Sequence, residues 1–544
     1  MKILKLCKPY LLSHKYKLGV YLVLIIFSTV ITILSPYLIG SFLDALIAGD
    51  KLDEILRFCA IFGIINLLRI IINYMTTIMY TKMQAQMCYA FNRSTIRHIQ
   101  GFSISRTNQM DSAYMSSRVG VDTGNLIAFS ISALQNIIIN TMIIVVTVAI
   151  LLSMNVIVAI ILISFLGVYA VVYFIFKKSL YSAGLTYRET QNKFFAKLTE
   201  QFKYIKLIKL DSIQSQINAR ADEVFVSYKD AMMNNQKVSY VYSSLDGIIS
   251  TIAQIILFVI GGIQVLQGNF TIGMFTIFAS YFNMILSSCR YFFGLGASYQ
   301  NALAAYDRVL ELLEQKVEHC GTKPIREIGS IECKDVCFNY QNKLKVIENF
   351  NAVFLRGNIY AIRGVNGTGK STLIHLLIGM YIEEYSGCIT YNGENILHLD
   401  MVSARRKIIG FAEQEPSLIS DSIRFNITLC DENQDMPDDD MKHMAKCAKV
   451  LNMGSFLEKK GLDLIIDEKN SNTSGGEKQK IAIFKVLYKN PSVMIFDEPT
   501  SALDADTSKM FMDYLCEVKK DKIVIIITHD RKVMDRSDKI FTLD

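Results

Sequence analysis

Hydrophobic positions in the first half of the chain run together instead of alternating with polar ones. Leu18 to Leu43 holds no charged residue, Phe58 to Thr81 holds only Arg69, Thr123 to Phe176 runs 54 residues without a charge, and Gly247 to Cys289 runs 43. An ionised side chain in hydrocarbon costs about 2.5–3.5 kcal/mol on insertion scales, so uncharged runs of this length mark membrane-crossing helices. A bilayer core takes about 20 helical residues, and the two longest runs must therefore each fold back once. Ser153-Met154-Asn155 and Gln267-Gly268-Asn269 are the turn positions, which makes six spans. Buried helices of a soluble protein are the competing reading, and such helices rarely stay uncharged for so long.

The flanks orient the spans. Residues 1–17 carry Lys2, Lys5, Lys8, Lys15 and Lys17 and no acid, whereas Asp44, Asp50, Asp53 and Glu54 follow the first span. Basic flanks stay on the cytoplasmic side, which predicts a cytoplasmic N-terminus in a multi-pass membrane protein, and the plasma membrane is its expected location. Lys82–Asp122 and Lys177–Asp246 then face the cytoplasm, and 30 helical residues at about 1.5 Å each carry a hairpin roughly 45 Å beyond the bilayer. The tips are expected around Asp111–Val119 and Gln201–Asp211. Arg69 lies inside a span and Arg290 ends an apolar run; the ordinary reading pairs Arg69 within the bundle and lets Arg290 reach the surface. Arg69, Asn136, Asn140 and Asn283 are candidates for a polar substrate cavity, or equally for hydrogen bonding between helices. The first apolar run is too long for a cleavable signal.

After Arg308 the pattern changes to short apolar strands, turns and polar helices. Ile331 to Tyr340 reads as an alternating strand and Ile359 to Arg363 as a buried one. The segment GVNGTGKST, Gly364 to Thr372, follows directly and matches the phosphate-binding loop pattern. Its glycines, with Asn366, Gly367, Thr368 and Gly369, let backbone N–H groups approach phosphate, and the next helix presents its positive end to the same anion. Lys370 would reach the β- and γ-phosphates and Ser371 would ligate Mg²⁺. Val493 to Glu498, VMIFDE, is an apolar strand ending in two carboxylates, of which Asp497 would hold the metal or its water and Glu498 would polarise the attacking water.

Charge and cysteines add little. The net charge of +7, from 57 Lys and Arg against 50 Asp and Glu, suits basic loops beside anionic lipid as easily as nucleic acid and decides nothing by itself, and no nucleic-acid partner is expected. The 11 cysteines lack the paired spacing of a disulfide framework or a zinc site.

Between these two motifs lies NTSGGEKQK, Asn472 to Lys480, which resembles the signature segment of ATP-binding cassette (ABC) proteins. With six spans ahead of it, the chain resembles an ABC exporter half-transporter over nearly its whole length. The resemblance implies a six-span α-helical membrane domain (1–310), a linker (311–328) and an α/β P-loop nucleotide-binding domain (329–544). It also implies that Tyr340 in CFNY stacks on adenine, that Gln414 in GFAEQEP senses Mg²⁺, and that His529 in IIITHD contacts the γ-phosphate. Ser474, Gly475, Gly476 and Glu477 would complete the site of a second subunit, while Glu468 and Asp504 would join the two sites. Singly, each has an ordinary alternative: Gln414 as a surface residue, His529 as a strand-end histidine, Tyr340 as core.

This sequence departs from the family pattern at Thr473 and Glu477, where Leu and Gln are usual, and at Asn470, where Gly is usual. Both Glu498 and His529 are present, so the resemblance implies a homodimer that binds ATP and Mg²⁺ and exports a substrate. A peptide or small natural product is the expected cargo, and a lipid or lipid-linked glycan is the alternative. With so few residues ahead of the first span, no leader-cleaving protease domain is expected there.

Overall fold

The computed structural model describes residues 2–49, 52–108, 110, 115–116, 118–340, 345–365, 367–430, 437–467, 473–501 and 503–543. The chain divides into two compact units, one of Met1–His98 with Ser112–Gln315 and one of Ile99–Asp111 with Lys316–Asp544.

The first unit is helical: α1 (Lys2–Ser13), α2 (Lys15–Ala48), α3 (Leu52–Gln100), then α5 (Thr123–Met154), α6 (Val156–Lys203), α7 (Ile205–Leu210), α8 (Gln214–Leu266) and α9 (Ile272–Leu313), with the short α4 (Ile104–Thr107) belonging to the second unit. Among the described residues, α2, α3, the segment Arg118–Met154, α8 and α9 are long and apolar enough to cross a membrane. The uncharged run of α6, Val156 to Phe176, supplies the sixth. Asn155 separates α5 from α6, and Gly268 turns the chain between α8 and α9 with φ +74°. Helix α1 buries Ile3, Cys7 and Leu11, one stripe at helical spacing, in a cluster with Tyr21, Met87, Phe91 and Leu126.

At the opposite end of the spans α2 and α9 touch through glycines. A Cβ on Gly273 would run into the carbonyl oxygen of Gly40 and the Asp44 carboxylate. That carboxylate accepts from the Gly273 N–H at 2.7 Å and from the Thr271 hydroxyl at 2.6 Å, so it satisfies the first turn of α9. Gly273→Ala is expected to destabilise the membrane unit by about 1–3 kcal/mol, the usual cost of overpacking. Thermal melting in detergent checks it, and an unchanged midpoint would count against this contact.

Three arginines near the span ends are paired with carboxylates. Arg290, expected to reach the surface, is 42% exposed and also holds Asp246 through Nη2 at 2.9 Å and Nε at 3.2 Å. In the π-helical turn Arg118–Asp122, Asp122 takes both Nε (2.7 Å) and Nη2 (2.5 Å) of Arg308, while Arg118 holds Glu311 at 2.8 Å. The Asp122 side chain is 7% exposed, so removing its partner strands a buried charge. Arg308→Met is expected to cost about 1–3 kcal/mol, and adding Asp122→Asn to recover much of it. A double-mutant melting cycle with additive costs would refute the pairing.

The first expected hairpin tip, Asp111–Val119, falls between α4 and the start of α5. Helix α4 sits at Ile104–Thr107 with Ile104 packed on the core of the second unit, whereas Arg118–Asp122 already leads into α5. Residues 111–114 and 117 of the expected tip lie outside the described residues. The second tip, Gln201–Asp211, contains α7.

The second unit carries two sheets. β1 (Ser330–Asn339), β2 (Lys345–Leu355), β4 (Tyr385–Tyr391) and β5 (Glu394–Asn395) form an antiparallel sheet in the order β2-β1-β4-β5. β6 (Ile409–Ala412), β7 (Val493–Asp497), β8 (Ile523–Ile527), β3 (Asn358–Gly364) and β9 (Lys539–Leu543) form a parallel sheet in the order β6-β7-β8-β3-β9. β7 and β8 are buried along their whole length and apolar except for Asp497 at the end of β7, as sheets covered on both faces require. Neighbouring parallel strands end together, and their C-terminal ends gather the residues that follow β3, β6, β7 and β8 at one edge.

Candidate functional site

That edge opens into a cleft of about 890 Å³ lined by Tyr340, the loop after β3, Gln414, Asp497, Glu498 and His529. The loop leaves β3 at Gly364 and enters the helix Lys370–Leu377. Gly369 takes φ +85°, and a Cβ there would stand 2.7 Å from Val346 Cγ1, so only glycine fits. Lys370 Nζ donates to the carbonyls of Gly364 (2.7 Å) and Val365 (3.1 Å), and His529 Nε2 lies 3.3 Å away. Thr368 and Thr372 lie on the same turn, and Tyr340 reaches the Thr372 hydroxyl at 3.0 Å. Asn366 lies outside the described residues.

β7 delivers the two carboxylates. Ser371 donates its hydroxyl proton to Asp497 at 3.1 Å. Burial pushes the Asp497 carboxyl above the usual carboxylate range, against the Ser371 hydroxyl, which lowers it. Glu498, one residue beyond the strand, has φ +47°, a strained conformation for a non-glycine residue. Its side chain accepts from Gln414 Nε2 at 2.8 Å and stands 3.7 Å from His529 Nε2. The site thus joins a phosphate-binding loop, a lysine, a hydroxyl beside a carboxylate, and a second carboxylate flanked by Gln and His.

The signature residues lie on the helix Gly475–Lys489. Ser474 caps it, accepting from the Glu477 N–H at 3.2 Å, while the Glu477 carboxylate accepts from the Ser474 N–H at 2.6 Å. Glu477 also holds Lys460 at 3.1 Å. Burial acts to raise its carboxyl, but the Ser474 N–H and Lys460 prevail and hold it low. Asp504 caps the helix Ala505–Val518 through Thr507 N (2.9 Å) and Oγ1 (2.8 Å), and this N–H and hydroxyl hold its carboxyl below the usual range. Glu468 lies outside the described residues.

One residue on this helix carries a contact the motifs do not announce. Gln479 is buried; its Nε2 donates to the Glu498 carbonyl at 2.9 Å and to the Ser501 hydroxyl oxygen at 3.2 Å. The available signal is a polar residue on the apolar stripe it shares with Ile483, Val486 and Leu487.

In the membrane unit, a polar cavity of about 230 Å³ is lined by Ser28, Thr29 and Thr32 of α2, Asn73 and Thr76 of α3 and Gln135 of α5, with Ile25, Ile139 and Ile143. Asn136 and Asn140 lie on α5 beside these lining residues, the Asn140 amide turned back to the Asn136 carbonyl at 2.7 Å. Asn283 accepts from Gln254 at 3.3 Å between α8 and α9, and Arg69 lies on α3 one turn before Asn73.

Residues 18–289 match the model of the ABC transporter transmembrane region, and residues 347–501 match the ABC transporter model. The chain is 24% identical to the putative multidrug export ATP-binding/permease protein YgaD of Bacillus subtilis, over 100% of this chain and 95% of that one. It is 30% identical to the alpha-hemolysin translocation ATP-binding protein HlyB of Escherichia coli O157:H7, over 67% of this chain and 52% of that one. It is 33% identical to ABC transporter B family member 1 of Dictyostelium discoideum over 53% of this chain, spanning 32% of that relative's length. The structure of a bacterial Atm1-family ABC exporter with ATP bound superposes with a TM-score of 0.81 at 18% identity, covering 98% of this chain and 94% of that one, a likeness of fold.

Proposed function

The chain belongs to the ABC transporter family, transmembrane region and ATPase fused in one polypeptide, and from that premise we propose that two copies work together as an exporter in the plasma membrane. The observation that carries the proposal is the cleft at the edge of the parallel sheet, where Lys370, Ser371, Asp497, Gln414, Glu498 and His529 converge. Tyr340 and the loop Gly364–Thr372 bind ATP. Lys370 would leave its loop carbonyls for the β- and γ-phosphate oxygens, and Ser371, Asp497 and Gln414 would hold Mg²⁺. The oxygen donors fit a hard cation: a hydroxyl and a buried carboxylate already stand 3.1 Å apart. That ion neutralises charge developing on the transferred phosphoryl group. Glu498 orients and deprotonates the attacking water, and His529 faces the γ-phosphate.

The helix start at Ser474, Gly475 and Gly476 presents N–H groups to the nucleotide of the second copy, so ATP closes the pair. Glu468 and Asp504 lie at the junction between the two sites. Coupling to transport is a two-state equilibrium of the spans that nucleotide biases and hydrolysis at Glu498 resets. A peptide or small natural product is the proposed cargo, with a lipid or lipid-linked glycan as second reading. ATP turnover in lipid nanodiscs against peptides, lipids and amphipathic drugs, with Glu498→Gln as blank, tests this. Stimulation by one class above a Glu498-dependent rate names the cargo, and uptake into oriented vesicles gives its direction.

A further inference from the structure

Arg69 is the twelfth of the 24 residues from Phe58 to Thr81 and the sole charge among them. At about 1.5 Å per residue it stands about 17 Å from either end of the run, near the middle of a span. Three arginines near the span ends are held by carboxylates, Arg118 by Glu311, Arg290 by Asp246 and Arg308 by Asp122, while Arg57, at the very start of this span, is exposed and can reach the interface. Among the described residues Arg69 has no ion-pair or hydrogen-bond partner. A second copy offers none at this depth, because the four apolar runs contain no Asp or Glu. A guanidinium stays charged in every environment a protein offers, so its counter-charge must come from outside the protein.

The face around it is polar, although Asn66 Nδ2 and Thr76 Oγ1 donate to the carbonyls of Phe62 and Asn73 on the same helix. Asn66, Arg69, Asn73, Thr76 and Tyr80 recur at spacings of three and four along α3 and therefore share one side of the helix. Asn73 and Thr76 line the 230 Å³ cavity, with Ser28 and Gln135 opposite. There the amide oxygens are taken: Ser28 donates to Asn73 Oδ1 at 2.7 Å and Tyr21 donates to Gln135 Oε1 at 2.6 Å. The amide nitrogens of Asn73 and Gln135 are left without a partner among the described residues. Unused N–H donors and a guanidinium, with no carboxylate near, suit an oxyanion that can accept two parallel hydrogen bonds. A neutral amphiphile would leave the mid-span charge uncompensated, and a cation would be repelled.

We infer that Arg69 and the polar face of α3 form an anion-recognition site on the transport path, and that the transported substrate is an amphipathic anion carrying a carboxylate or a phosphate. This rests on the exporter reading and narrows its cargo. A lipid headgroup and a free amphiphile share this chemistry.

The test uses the full-length protein in phosphatidylcholine nanodiscs and three labelled probes of equal chain length, dodecyl phosphate, dodecyltrimethylammonium and dodecyl maltoside, with binding to empty nanodiscs subtracted. Wild type is expected to bind dodecyl phosphate at least tenfold more tightly than either other probe. Arg69→Met should erase that preference and Arg69→Lys retain most of it. The ratio of probe-stimulated to basal ATP turnover, taken within each variant, should follow the same order. Equal affinity for all three headgroups, or a preference that survives Arg69→Met, overturns the inference. Displacement of dodecyl phosphate by phosphatidic acid in the disc identifies a headgroup entering from the bilayer, and failure to displace identifies a free amphiphile; both presuppose the Arg69-dependent preference. If that preference is missing while turnover still depends on Glu498, this inference falls and the exporter reading stands. If Glu498→Gln hydrolyses ATP like wild type, the exporter reading itself fails.

Discussion

Glu498→Gln is expected to lower ATP turnover by about 10²- to 10⁴-fold, the usual contribution of a positioned general base, while ATP is still bound. The substitution keeps the shape of the side chain and its contact with Gln414, which donates to Glu498 Oε2 at 2.8 Å. It removes only the capacity to take a proton from water. Lys370, Ser371 and the glycines that shape the loop are untouched, so nucleotide affinity should stay within a few fold of wild type. Because ATP is then held without being split, closed pairs of chains should accumulate. Turnover, nucleotide binding and sedimentation of the purified variant with ATP and Mg²⁺ measure the three effects. Wild-type turnover would remove Glu498 from the mechanism, and loss of binding would mean that the substitution acts through the fold.

What the sequence made legible divides by range. The spans could be read because the energetics of hydrocarbon act on each residue separately, so a run without charge is informative by itself. The phosphate-binding loop could be read because its residues are contiguous, and the structure places Gly364 at the end of a buried strand and Lys370 at the start of a helix. Pairings across long separations could not be read. Arg290 finds Asp246 44 residues away, and Arg308 finds Asp122 186 residues away. In each case two helices of unknown rotation must meet before either charge has a partner. Glu477 shows the same limit at a motif: its departure from the family pattern is visible, but the Lys460 that offsets its charge belongs to another helix.

Gln479 yields the second large effect. The backbone of Glu498, at φ +47°, is strained, and such a conformation persists only where the surroundings over-determine it. Four bonds do so: the Glu498 N–H donates to Ile527 O at 3.0 Å, and its carbonyl accepts from Gln479 Nε2 (2.9 Å), Ser501 Oγ (2.9 Å) and Ser501 N (3.2 Å). Gln479 is therefore a positioning residue: it sits on the helix that opens at Ser474 and fixes the base of its own chain's site. Gln479→Glu replaces an amide donor by an acceptor of the same shape facing the carbonyl. A buried group left unsatisfied costs about 1–3 kcal/mol, and because the loss falls on the placement of Glu498, kcat should drop by about 5- to 150-fold. KM for ATP should hold within about twofold, since neither Tyr340 nor the phosphate-binding loop touches Gln479. Steady-state kinetics beside a melting curve separates this from a merely structural role. A lowered kcat at an unchanged KM in a protein that melts within a few degrees of wild type supports the positioning role, whereas an unchanged kcat, or a fall in activity that tracks the loss of folded protein, refutes it.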